Sequence, residues 1–178
     1  MMERKQVTTG TSDIRLTEEQ CQAIEIFKSE QSLKLNAFAG AGKTSTFQVL
    51  GGVMEATSGV ADVFGRPAFD MRAQTGYLTQ SFSLYPDLTV LENIRYIGDL
   101  RRTPRDEIDR RARHYLGMFD MDRFMDRLAG RLSGGMKQKL ALACTLVHEP
   151  SLVVLDEPTT GVDPISRREL WKLLSEFL

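Results

Sequence analysis

In SLKLNAF, Leu33, Leu35 and Ala37 alternate with polar neighbours, the period of a half-buried strand over 33–37, and the run leads directly into the Gly-rich AGAGKTST. Strand, glycine-rich loop and helix in that order predict a nucleotide-binding α/β domain. Upstream, LTEEQCQAIEIF sets Thr17 and Gln20 at capping-box spacing with Ile24 and Phe27 on one apolar side, predicting a helix over 18–29. Residues 1–15 carry no periodicity and predict a flexible arm. The helix after Lys43 should run through Thr46, Phe47, Val49 and Leu50 and end at Gly51-Gly52, where two glycines remove helix propensity. A turn at 57–59 precedes VADVFG, read as a strand ending at Gly65, and TGYLTQ predicts a short strand over 75–80 that ends on polar Gln80.

From Thr89 to residue 149 the period becomes helical. TVLE (89–92) is a second capping box, and TPRD (103–106) puts Pro104 at a first helical position behind a Thr103 cap. Leu116, Phe119, Phe124, Met125 and Leu128 supply an apolar packing side. Ser133 caps a helix whose Met136, Leu140, Ala143 and Val147 recur at three- or four-residue spacing, and Pro150 stops it. SLVVLDEPTTGVDP then reads as a buried parallel strand over 151–156 that delivers two acids at its carboxyl end. Asp163-Pro164 opens a last helix with Leu170, Leu173, Leu174 and Phe177 on one side, and the pattern is still running at Leu178, which reads as a truncation. These elements predict one α/β domain over 16–178: a three-layer P-loop core with strands near 33–37, 75–79 and 151–156, a helical subdomain inserted at 89–149, and an incomplete C-terminus.

Composition narrows this reading. The 178 residues suit one ordinary domain, and 42% hydrophobic residues support a packed core. Lys and Arg number 23 against 24 Asp and Glu, a net charge of -1, so no polyanionic partner is called for. The one concentrated basic segment, RRTPRDEIDRRARH (101–114), mixes signs at helical spacing and lacks interleaved aromatics, so it reads as a solvated face of local pairs rather than a nucleic-acid surface. Cys21 and Cys144 lie far apart and outside any metal-ligand spacing, which predicts free thiols in a reducing compartment. His114 and His148 read as surface residues. With no apolar run near 18 residues and a polar start, the expectation is neither a spanning helix nor a leader, and a peripheral role at most at a membrane.

AFAGAGKT (37–44) matches GxxxxGK[ST] except for Ala37 at its first position. Backbone N–H groups around Gly40, Ala41, Gly42, Lys43, Thr44 and Ser45 can cradle anionic oxygens, the Lys43 amine can reach the β/γ-phosphates of ATP, and the Thr44 hydroxyl can ligate Mg2+. Of the two acids after Val153-Val154-Leu155, Asp156 can hold the magnesium and Glu157 can position or deprotonate the attacking water. LSGGMKQK places Ser133, Gly134 and Gly135 at a helix start whose amides and dipole suit phosphate, although an ordinary Ser cap reads the same way. Gln80 alone reads as solvated, and Gln20 has a sufficient role within its capping box.

Residues 50–178 resemble the ATPase subunit of ATP-binding cassette (ABC) transporters, through TSGVADVFG, Gln80, DLTVLENI, LSGGMKQK, LVVLDEP and TGVDP in that order. The resemblance implies that Lys43 and Thr44 bind phosphate and magnesium, that Gln80 senses magnesium and attacking water, that Asp156 holds the metal, and that Glu157 is the general base. It further implies that Ser133, Gly134 and Gly135 bind the γ-phosphate of a nucleotide held by a second nucleotide-binding subunit, with Asp163 at the dimer seam. The partners implied are ATP, that second subunit and an integral membrane transporter subunit, with the chain cytoplasmic and peripheral at the inner face of the membrane. Residues 16–49, LTEEQCQAI with KLNAFAGAGKTST, instead resemble the first motifs of superfamily-one DNA helicases, in which the residue at Gln20 contacts adenine. The family's switch histidine lies on a strand beyond the position of Glu157 that this sequence does not reach, which implies ATP binding with weak or absent turnover. The alternatives to the transporter ATPase are a helicase-like ATPase fragment and a non-catalytic nucleotide-binding fragment.

Overall fold

The computed structural model describes residues 43–54, 61–79, 83–156, 158, 164, 167 and 168, and the chain forms two compact units, Met1–Arg72 and Ala73–Leu178. The predicted helix at 18–29, the strand at 33–37 and the turn at 57–59 lie outside the described residues.

In the first unit, α1 (Lys43–Leu50) ends where expected. The Gly51 N–H donates to the Phe47 carbonyl at 2.7 Å, and Gly52 takes a φ of 66°, the left-handed conformation that terminates helices at low cost in glycine. The single strand read into VADVFG is instead a small hairpin. β1 (Asp62–Val63) pairs antiparallel with β2 (Arg66–Pro67), Val63 opposite Arg66. The turn residues Phe64 and Gly65 both have positive φ, 52° and 73°, as the tight hairpin turn demands. Phe64, a poor residue for positive φ, disguises the turn, so the sequence pattern ends a strand at Gly65 where the chain in fact reverses.

In the second unit, β3 (Thr75–Leu78) and β4 (Leu152–Leu155) run parallel, with Tyr77 opposite Val154. Between them in sequence come α2 (Val90–Leu100), α3 (Arg105–Met118) and α4 (Gly134–Leu146). The core gathers on α2, α3 and α4, with Val90, Ile94, Ile108, Leu116, Phe119, Leu140 and Leu142 fully buried, each worth about 1.5–3 kcal/mol relative to exposure. Leu78 belongs to this core, and Val153 and Leu155 pack against it. The strands therefore present one face to the helices. Gly76 is what lets β3 approach α4, since a Cβ there would lie 2.8 Å from the Thr145 methyl.

Pro104 sits one position earlier than predicted. It is the N-cap of α3, with ψ 141°, and its carbonyl accepts the Ile108 N–H at 2.9 Å. The Thr103 N–H is taken by the Gly98 carbonyl, so Thr103 closes the preceding turn instead of capping α3. The basic segment pairs locally as the sequence suggested, Arg105 with Asp99 and both Arg110 and Arg111 with Glu107, while Arg111 also reaches Glu149 from a distance in sequence. His148 is not the surface residue predicted; both ring nitrogens are buried without a well-formed hydrogen bond among the described residues. No helix among the described residues is long and apolar enough to cross a membrane.

Candidate functional site

The two units hold different members of the predicted site. In the first, Lys43 opens α1, followed by exposed Thr44, half-buried Ser45 and buried Thr46. α1 begins with Lys43, Thr44 and Ser45 and has no acidic side chain in its first turn, so the positive end of its dipole suits an anion. Gln20, Gly40, Ala41, Gly42, Gln80 and Glu157 lie outside the described residues.

In the second unit, Asp156 follows β4 directly and is 2% exposed. The Asp156 N–H donates to the Leu78 carbonyl at 2.9 Å, which carries the parallel ladder one step past β4. The Tyr77 hydroxyl donates to Oδ2 of Asp156 at 3.3 Å. Burial first, then the Asp156 charge, push the Tyr77 phenol above its ordinary range, so it remains a donor. The sequence reading missed Tyr77. Its strand register was legible, but register alone does not say that a phenol reaches the acid two residues beyond its opposite number.

Ser133 caps α4 with ψ 165°, its hydroxyl accepting the Met136 N–H at 3.3 Å. Ser133 and Gly134 are exposed and Gly135 is half-buried. Among the described residues nothing accepts from the Gly134 and Gly135 amides, and the first turn of α4 carries no acidic residue. Such a start can receive an anion. A second missed residue is Asn93, 1% exposed, which binds both the N–H and the carbonyl of Tyr85 and the carbonyls of Leu88 and Thr89. It fixes the segment leading into α2, and an Asn just after a capping box was the available signal.

The family described as ABC transporter matches residues 27–160. The chain is 48% identical over 145 residues to the probable multidrug ABC transporter ATP-binding protein YbhF of Escherichia coli, covering 78% of this chain and 25% of that protein. It is 41% identical over 139 residues to the retinal-specific phospholipid-transporting ATPase ABCA4 of Bos taurus, covering 76% of this chain and 6% of that protein. The chain thus spans about a quarter or less of the length of these relatives. Among solved structures, cbiO1 of Clostridium perfringens, part of the ABC transporter complex cbiONQ, matches with TM-score 0.69 and 29% identity over 79% of this chain and 59% of that one. A dimeric ATP-binding cassette, MJ0796, bound to ADP and phosphate in a post-hydrolysis state, matches with TM-score 0.69 and 25% identity, covering 79% of this chain and 66% of that one. These neighbours carry the P-loop NTPase fold expected from the sequence. The family match starts at residue 27, upstream of the boundary drawn at residue 50, so Lys43 and its loop fall inside it. The helicase likeness of residues 16–49 rests on its motifs alone.

Proposed function

The chain belongs to the ABC transporter family, and on that premise we propose that it is the nucleotide-binding part of a transporter, binding Mg-ATP and hydrolysing it in a composite site shared with a second nucleotide-binding subunit. The observation that carries this reading is the buried Asp156 carboxylate at the carboxyl end of β4, where parallel α/β sheets meet their ligands. The donor set suits the ion. The Asp156 carboxylate and the Thr44 hydroxyl are hard oxygen ligands, the kind magnesium takes in small number beside phosphate oxygens and water. Magnesium, when bound, neutralises charge on the phosphates.

This chain's own groups do the rest. The amides of Gly40, Ala41, Gly42, Lys43, Thr44 and Ser45 cradle phosphate oxygens, the Lys43 ammonium offsets their charge, and Gln20 meets the base. Glu157 accepts a proton from water as its oxygen bonds to the γ-phosphorus; the bond to the bridging oxygen breaks, and ADP and phosphate leave. Gln80 orients that water. Ser133, Gly134 and Gly135 face the γ-phosphate of the other subunit's nucleotide, for which their open amides are suited. The family's dimeric neighbour supports pairing of two such domains. An integral membrane subunit, with this chain peripheral at the cytoplasmic face, completes the assembly and carries the cargo specificity.

The test is nucleotide binding and turnover in the full chain. Mg-ATP at a hundred times its Kd should add about 2.7 kcal/mol of apparent stability. Glu157→Gln should keep that stabilisation and lose hydrolysis, and the wild-type rate should rise more steeply than linearly with protein concentration. A chain whose melting ignores Mg-ATP, or a Glu157→Gln variant with full turnover, overturns the reading.

A further inference from the structure

Tyr77 has no part in the chemistry above, yet among the described residues its phenol is the group that meets the Asp156 carboxylate. The sheet explains why. β3 and β4 are parallel with Tyr77 opposite Val154, and alternation puts Asp156 on the same face as Val154, one step past the strand. Gly76 and Leu78 occupy the opposite face, toward α4. The Asp156 backbone is already fixed by its bond to the Leu78 carbonyl, which leaves only the side-chain torsions of the carboxylate to be set. The Tyr77 hydroxyl sets them by donating to Oδ2 at 3.3 Å. Because Asp156 is buried, water is a poor substitute for that donor. A carboxylate offers about four lone-pair sites, and among the described residues the phenol takes one of them, which leaves acceptor capacity for a cation.

We propose that Tyr77 is a positioning residue for the metal site: its hydroxyl holds the Asp156 carboxylate in the orientation that receives magnesium and thereby sets the metal affinity of the nucleotide-loaded chain. This rests on the assignment of Asp156 to the metal in the proposed function. Phenylalanine would fill the same place on β3, so the hydroxyl alone can be removed.

The experiment is Mn2+ binding to the full chain with a non-hydrolysable ATP analogue, followed by electron paramagnetic resonance well below each variant's melting midpoint. Tyr77→Phe should weaken Mn2+ binding by about tenfold, the lower end of the range for partners that orient metal ligands. Nucleotide affinity in EDTA should stay at the wild-type value. The Mg2+ needed for half-maximal hydrolysis should rise by the same factor while kcat at saturating Mg2+ is retained, and the preference for Mn2+ over Ca2+ should fall as the carboxylate loosens, because small ions demand the stricter geometry. A folded Tyr77→Phe variant with wild-type Mn2+ affinity and selectivity overturns the proposal while leaving the proposed function standing. Failure of the wild-type chain to bind Mn2+ with nucleotide would instead overturn the functional reading, and this inference with it.

Discussion

Two helix starts in the second unit begin with the same chemistry and end with opposite accounts. At α2, Thr89 caps the Glu92 N–H and Glu92 returns a bond to the Thr89 N–H at 2.8 Å, while the Val90 and Leu91 amides donate to the carbonyls of Arg127 and Met125. Each of these amides has a protein partner. The Glu92 carboxyl is held below its usual range chiefly by the Thr89 N–H, then by the Thr89 hydroxyl. At α4, Ser133 caps Met136, but Gly134 and Gly135 follow where acids would close the turn, and their amides meet no acceptor among the described residues. A hydroxyl cap shows that a helix begins; what occupies the remaining first-turn amides shows whether that start is finished by the protein or left for a ligand.

An acid in the first turn breaks this comparison most sharply. Gly135→Asp should stabilise α4 slightly, since aspartate favours a helix N-terminus and replaces a glycine inside the helix. If the amides receive phosphate, the same carboxylate repels it and should lower ATP hydrolysis by about 100-fold or more, the scale of losing a donor aimed at developing charge. Steady-state turnover and thermal melting on one sample decide it. Equal losses in both would mean that α4 is simply misfolded, and unchanged turnover would mean that its start receives nothing.

How much was legible follows the same division. The Thr89 box, the Ser133 cap, the strand of Thr75–Leu78 and the strand of Leu152–Leu155 were readable because each is written in a few neighbouring residues. The Phe64-Gly65 hairpin was hidden by a residue ill suited to its turn, and the cap position of Pro104 by a Thr that looked better for the role. Tyr77 and Asn93 were hidden for a different reason. Their partners, Asp156 for one and the main chain of Tyr85 for the other, are chosen by sheet register and loop path rather than by local spacing. His148 was hidden because its ring nitrogens are buried and the charges that act on it, Arg101 and Arg111, stand far away in sequence.

That histidine sharpens the contrast between the two ends of α4. Beyond its open start, the far end is closed: the Arg111 guanidinium donates to the Val147 carbonyl at 3.1 Å, and the Tyr115 hydroxyl donates to the Leu146 carbonyl. His148 lies here, pushed down to about 4 by burial first and then by the Arg101 charge, with Arg111 adding to it and the Thr75 main chain giving partial relief. Its folded value is below its ordinary value near 6.5, so the unfolded chain takes up the proton first. Its contribution to stability is fully present above about pH 6.5 and is lost as pH falls toward about 4. Urea midpoints from pH 7 to pH 4 should therefore fall less steeply in His148→Gln than in the wild type. Parallel pH profiles would remove His148 from the account.

The smallest expected effect tests the closed start of α2. Thr89→Ala removes the acceptor of the Glu92 N–H and the hydroxyl that donates to the Glu92 carboxylate, while the bond from the residue-89 N–H to that carboxylate can remain. Cap losses cost about 1 kcal/mol, and here the expected cost is at the modest end because the Val90 and Leu91 amides keep their partners on Arg127 and Met125. The start of α4 is left intact, so ATP hydrolysis measured below the melting midpoint should stay within about twofold of wild type, as expected of a change away from the residues proposed to react. A Thr89→Ala chain that melts like wild type would show the bonds of the Thr89 hydroxyl to be worth nothing net. One that kept its stability but lost turnover would make the α2 start a functional element, and the distinction between closed and open helix starts would no longer separate structure from binding in this protein.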